Sequence, residues 1–384
     1  MLAQFAGTSL WFTVNAVMPD LQRDFGWPAT AVGTLTSALQ MGFIVGTLVF
    51  ALLAIADRFP PKKVFLLCSL AGAACTVAAW AMVGEFTALL LWRAATGFFL
   101  AGIYPVGMKI ASQWYSKGLG AALGLLLGAL VLGSASPHGL RAISSHLPWP
   151  SVMLGVALLA ALGGVFLYAF LPDPPVRAAA SRSALQWRAL AVLWTDSRVR
   201  ASVLGYFGHM WELYTMWVFV PLILARRLEG ATLSLAAFVV LGAGAAGCVV
   251  GGLLARRFGS ARVAGTLLAT SGLCCVLAPW LIGASDLAFA LWLLVWGISV
   301  SGDSPQFSAL TASNAPVHSV GSVLTLANSI GFSISVVSIT LFVELSRHYP
   351  LELLLPWLGW GPLLGLWAMR ALLREGMPAL RPGT

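Results

Sequence analysis

The chain has 384 residues, of which 59% are hydrophobic and only 9% charged. An ordinary soluble domain carries roughly 25% charged residues, so this chain lacks the polar surface of a water-soluble body. The net charge is +9, but the basic residues fall in short stretches between apolar runs. There they orient a chain in a membrane, and nucleic acid is not an expected partner.

A helix needs roughly 20 apolar residues to cross a bilayer, and lipid forces such runs to be helical. Six runs are read near 1–19, 30–55, 64–83, 87–108, 119–140 and 149–171. Six more lie near 200–225, 231–255, 263–284, 287–312, 321–343 and 352–373. The runs are continuously apolar rather than alternating, which excludes a membrane β-barrel. The expected fold is an all-α membrane protein of twelve transmembrane helices in two pseudo-symmetric six-helix bundles. Residues 1–171 form the first bundle and 200–384 the second. Residues 172–199 form a cytoplasmic linker holding Pro172, Pro174, Pro175, Arg177, Arg182, Arg188 and Arg198.

With that linker in the cytoplasm, sixteen of the 22 Lys and Arg fall on its side, five fall on the other, and Arg93 lies within a helix. The asymmetry predicts both termini in the cytoplasm and a bacterial inner membrane. The N-terminus lacks the basic region and small-residue cleavage site of a signal peptide. Arg198 and Arg200 precede the seventh run while nothing basic precedes the first, so the native start is expected upstream of Met1. The cysteines Cys68, Cys75, Cys248, Cys274 and Cys275 lie in apolar runs without metal-ligand or disulfide spacing. They read as small hydrophobes, with no metal site and no cofactor expected.

The two halves superpose at a nearly constant offset, so the chain reads as an internal repeat. Leu2, Phe5, Thr13 and Pro19 fall on Leu204, Phe207, Thr215 and Pro221. Ala56, Arg58, Phe59, Lys63 and Val64 fall on Ala255, Arg257, Phe258, Arg262 and Val263. Gly102 and Pro105 fall on Gly302 and Pro305, and Gly120 and Leu123 on Gly321 and Leu324. An even number of helices gives both copies the same topology. They are parallel repeats about an axis along the membrane normal, with a cavity between.

On these residues the chain resembles the major facilitator superfamily along its length. Asp57-Arg58 followed by Lys62 and Lys63 is similar to the family's loop between helices two and three, with Leu53 and Pro60 where glycines are expected. The second copy keeps Gly252 and Gly259 but has Arg256 in place of the acid. Arg93 and Gly97 match the fourth-helix pattern. The glycine-rich fifth helix lacks the Gly-Pro pair of the family's drug/proton antiporters. The resemblance implies that helices 1, 4, 7 and 10 line a central cavity. It also implies that Asp57, Arg58, Lys62, Arg256 and Arg257 act in gating.

Ionisable residues at mid-membrane are costly and are functional candidates by default. Arg93, His209, Glu212 and Asp303 all fall on the helices that the resemblance places around the cavity. His209 and Glu212 lie three residues apart and are read on one helix face, with Tyr206 a turn before. Burial favours the neutral form of a carboxylate, which suits Glu212 to carry a proton; the plain alternative is a structural pairing with His209. Asp303 sits in Ser301-Gly302-Asp303-Ser304-Pro305, where glycine and proline weaken a helix. Arg93 offers a planar fork to an oxyanion, or serves as counterion to Glu212 or Asp303. Trp11, Trp211 and Tyr214, with Phe12 and Trp217, are read as an aromatic cavity wall. Asn15, Gln40 and Asn328 are lesser candidates, and Lys109 reads as a snorkelling side chain.

The leading expectation is a monomeric, proton-coupled secondary transporter. It moves a small polar solute, an organic or inorganic anion, by symport, with sodium as the alternative coupling ion. The rivals are an efflux pump for amphipathic compounds and a non-transporting sensor or assembly factor on the same scaffold. No motif of an enzyme stands out.

Overall fold

A computed structural model describes residues 1–114, 119–172, 189–316 and 319–375. Lys117, Arg381 and most of the linker, with Pro174, Pro175, Arg177, Arg182 and Arg188, lie outside the described residues. Within them all regular structure is helical. The first apolar run is α1 (Leu2–Thr8), α2 (Thr13–Ala16) and α3 (Met18–Phe25). Then come α4 (Ala31–Leu52), α5 (Ile55–Arg58), α6 (Pro61–Ala81), α7 (Phe86–Leu100), α8 (Tyr104–Trp114), α9 (Leu119–Ile143) and α10 (Pro150–Phe170). The C-terminal helices are α11 (Ala189–Thr195), α12 (Ser197–Leu224), α13 (Gly230–Phe258), α14 (Ser260–Leu281), α15 (Asp286–Gly302), α16 (Ser304–Asn314), α17 (Val320–Leu345), α18 (Leu351–Leu358) and α19 (Trp360–Glu375).

Ten helical segments among the described residues are long and apolar enough to cross a membrane. The other two expected runs fall short for different reasons. The first is broken into three short helices. The seventh, α12, is one 28-residue helix whose His209, Glu212 and flanking arginines lower its hydropathy. Large apolar side chains such as Leu67, Leu91, Leu158, Trp280 and Trp367 point outward, as a lipid-facing surface requires.

The helix breaks have visible causes. Proline lacks the N–H that would close the preceding turn. Pro105 follows the break between α7 and α8, and Pro305 follows the one between α15 and α16. These are the paired positions of the repeat. The turn between α13 and α14 uses Gly259 at φ +84°, which suits glycine. Its counterpart region places Ala54 at φ +49°, a left-handed conformation that costs a non-glycine residue about 1 kcal/mol. Asp196 caps α12, its Oδ1 accepting from the Arg198 and Val199 amides at 2.9 and 3.0 Å.

Glycines let certain helices touch backbone to backbone. A Cβ on Gly97 of α7 would lie 1.9 Å from the Leu39 carbonyl oxygen of α4, and one on Gly297 of α15 would lie 2.1 Å from that of Val240 in α13. The same device recurs at matching places in the two halves. Between N-terminal and C-terminal helices, α9 packs on α13 and α4 on α17. Ser335 Oγ of α17 donates to Gln40 Oε1 of α4 at 2.9 Å.

The two ends of the helices differ in charge. At the end holding Arg23, Arg141, Arg226, Arg227 and Arg347, every one of these arginines meets a carboxylate, from Asp20, Glu352, Asp286 or Glu344. At the opposite, basic end Lys109 pairs with Asp57, while Arg58 and Arg256 have no such partner among the described residues.

Candidate functional site

A narrow cavity of about 40 Å³ lies between N-terminal and C-terminal helices, walled by Tyr104, Tyr206, Tyr214, Ser304, Ser308 and Asn328 together with apolar side chains. It shares Leu127, Ser308 and Asn328 with a wider cavity of about 520 Å³ that reaches Arg256 and Ser260 at the basic end. On the other side an aromatic stack closes it. Trp11 lies flat on Tyr214 at 5.8 Å, and Phe12 packs on Tyr214 and Trp217. Phe332 joins Trp11, Phe43 and Tyr214.

The wall is mostly apolar, set with hydroxyls and one amide, and carries no charged side chain among the described residues. The hydroxyls of Tyr104, Tyr206 and Tyr214 and the Asn328 amide have no hydrogen-bond partner among the described residues. Buried polar groups are nearly always paired, so these are free to meet water or a solute. The break at Tyr104-Pro105 and the one at Asp303–Pro305 bring Tyr104 and Ser304, from opposite halves of the chain, to the same cavity.

The buried ionisable residues lie elsewhere. Glu212 is wholly buried and faces α14 and α15, not the cavity. Its Oε1 accepts from Trp296 Nε1 at 2.6 Å and Cys275 Sγ at 3.2 Å, and its Oε2 from Ser271 Oγ at 2.8 Å. His209 also leaves Glu212 aside: its Nδ1 lies 2.8 Å from Asp303 Oδ1, both residues wholly buried. Its ring sits between Tyr206 at 5.8 Å and Phe307 at 5.9 Å. The shared face read from the spacing therefore divides. At about 100° per residue, Glu212 is turned roughly 120° from Tyr206, and even a three-residue step separates side chains by about 60°.

Arg93 serves the backbone. Its Nη1 and Nη2 donate to the Leu10 and Trp11 carbonyls at 3.1 and 2.6 Å. Those carbonyls are freed where α1 stops before α2, and lipid cannot satisfy them. Arg93 therefore holds open the break that presents Trp11 and Phe12 to the aromatic stack. Neither Glu212 nor Asp303 is its counterion.

The remaining expected residues divide as follows. Tyr206 and Tyr214 line the cavity and Trp11 seals it. Trp211 points away, edge-on to Phe342 at 5.9 Å. Asn15 ties the first apolar run to α4, its Nδ2 donating to Thr36 Oγ1 at 2.9 Å. At the basic end Lys109 is more than a snorkelling side chain: its Nζ donates to Asp57 and the Ala56 carbonyl. Lys62 stands over the Tyr168 ring, Arg257 over that of Phe258, and Arg256 lines the wide cavity. Tyr104, Ser304 and Ser308 were missed as cavity residues. The repeat offset, applied around Pro105 and Pro305, carries the signal for the first two.

Fold and cavity define a multi-pass membrane carrier of a small solute. The chain belongs to the Major Facilitator Superfamily, whose model matches residues 1–339. It is 28% identical over 288 residues to a chloramphenicol resistance protein of Streptomyces lividans, spanning 74% of this chain and 72% of that one. It is also 28% identical over 171 residues to a gallate transporter of Pseudomonas putida, spanning 42% of this chain and 36% of that one. Of solved structures, the proton:xylose symporter XylE shares the fold with a TM-score of 0.74 at 12% identity, covering 96% of this chain and 94% of that one.

Proposed function

We propose that the chain is a secondary active transporter for small ring-bearing solutes carrying hydroxyl or carbonyl groups. It works by alternating access between two six-helix bundles, 1–171 and 200–384, joined by 172–199. The observation that carries this reading is the set of unpaired tyrosine hydroxyls and the Asn328 amide in a cavity with no charged wall residue among the described residues. Aromatic faces suit a ring, and hydroxyls and an amide suit its polar substituents. The narrow centre holds only a few waters, so solute entry requires the walls to part. Two of the relatives are a chloramphenicol resistance protein and a gallate transporter, and both names refer to ring compounds. Arg93 is committed to carbonyls, so an anion reading needs a cation elsewhere.

Protons couple to this movement through the C-terminal helices. Glu212 binds α12 to α14 and α15, and His209 binds it to Asp303. A proton gained or lost at either place changes how α12 is held, and α12 carries much of the tyrosine wall. The unequal pairing of charge supports a cytoplasmic basic end, with both termini there, in a bacterial inner membrane. The unit is a monomer.

The test is solute flux in proteoliposomes under an imposed pH gradient. Glu212→Gln should lose gradient-driven accumulation and keep exchange of solute across the membrane. Normal accumulation by that variant ends the coupling proposal, and flux of no ring-bearing solute ends the substrate proposal. The second reading is outward transport of the same class, favoured by the aromatic stack and the resistance relative. Raised sensitivity of a deletion strain to such compounds would select it over uptake.

A further inference from the structure

The wide cavity at the basic end holds a feature that the central cavity lacks. Arg256 lines it and is its one charged wall residue among the described residues. Two other cations of that end are engaged, Lys109 with Asp57 and Arg257 with the Phe258 ring. The arginines of the opposite end are all paired. Arg256 has no ion pair or hydrogen bond among the described residues and faces open space. Gln306, on the same wall, is only 3% exposed, yet its amide has no partner there. Asn328 stands where the two cavities meet, its amide equally free.

We infer that Arg256, Gln306 and Asn328 form a binding station for the carboxylate of a small aromatic acid between the basic face and the tyrosine-lined cavity. This rests on the substrate class proposed above and narrows it. A guanidinium offers a planar fork that matches a carboxylate with two hydrogen bonds. Two carboxamides supply further N–H donors. No acid among the described residues lines this cavity, so an anion entering it meets no like charge. The ring of the solute then lies toward Leu127, Ser308 and the tyrosines, the direction of transport through the protein.

The experiment is calorimetric titration of the full chain in neutral detergent with 4-hydroxybenzoate and its uncharged counterpart 4-hydroxybenzamide. The wild-type chain should bind the acid about tenfold more tightly than the amide. Arg256→Gln should erase that preference and leave the amide within about twofold. Arg256→Lys, which keeps the charge but not the fork, should retain part of it. Tyr206→Phe should weaken both probes alike. If Arg256→Gln leaves the acid-to-amide ratio unchanged while Tyr206→Phe weakens both, this inference falls and the aromatic-solute reading stands. If neither probe binds the wild-type chain, both fall. Anionic lipid is the other source of such an anion. If Arg256→Gln reduces retention of phosphatidylglycerol and not affinity for the acid, the residue serves the lipid surface and the inference is overturned.

Discussion

Helix α12 presents two unlike faces. Toward the centre it shows Tyr206, Met210 and Tyr214 to open space, with hydroxyls that have no partner among the described residues. Away from the centre it buries Glu212 beneath three donors. On this helix Glu212, the side chain with the greatest chemical potential, is fully supplied with donors. The milder groups are left free to bind. Rarity of a charge in a membrane helix marks a place of consequence, but not which face of the helix that place is on. Arg93 teaches the same lesson in the N-terminal helices, since its guanidinium is spent on the carbonyls of a broken helix.

The contrast can be broken or sharpened by substitution. The largest effect belongs to Glu212→Ala, which strands the Trp296 indole and the Cys275 thiol and leaves the Ser271 hydroxyl only the Leu268 carbonyl. Stability should fall by roughly 3–5 kcal/mol in denaturant titration of the detergent-solubilised protein; wild-type stability would mean that the cluster is not dry. Arg93→Ala leaves the Leu10 and Trp11 carbonyls without donors, and should cost about 2–4 kcal/mol by the same measurement. On the open face the pattern reverses. Tyr206→Phe should change stability by less than about 1 kcal/mol but weaken solute binding roughly tenfold in titration calorimetry, since a hydrogen bond to a solute is worth about 1–1.5 kcal/mol. The smallest effect is a gain. Ala54→Gly relieves the left-handed backbone at φ +49° and should add about 1 kcal/mol, visible as a higher unfolding midpoint.

Much of the architecture was legible because its causes are local. Apolar length marks most of the helices. Pro105 and Pro305 mark two breaks, and the repeat pairs them. The break at Leu10-Trp11 was not legible, since no proline or glycine stands within it; a distant arginine sustains it. The direction of Glu212 was hidden for a different reason. A helix buried on every side carries no polar stripe, so its sequence does not say which face meets the cavity. Lys109 and Asp57 stand far apart in the chain, and meet only because the fold brings α5, which carries Asp57, to Lys109 of α8. Asn328 reads in the sequence as a lone amide; what singles it out in the structure is its place where the two cavities meet, without a hydrogen-bond partner among the described residues.

Thiol labelling tests the two-faced helix most directly. The natural cysteines are buried, so a single introduced cysteine can be read against a low background. Ser308 lies where the two cavities join, and Ser271 lies beside Glu212. Ser308→Cys should react rapidly with a small charged thiosulfonate reagent, and a bound ring-bearing solute should slow that reaction. Ser271→Cys should stay unreactive in the folded protein. Equal labelling of both sites, or labelling at Ser308→Cys that no solute slows, would contradict the account.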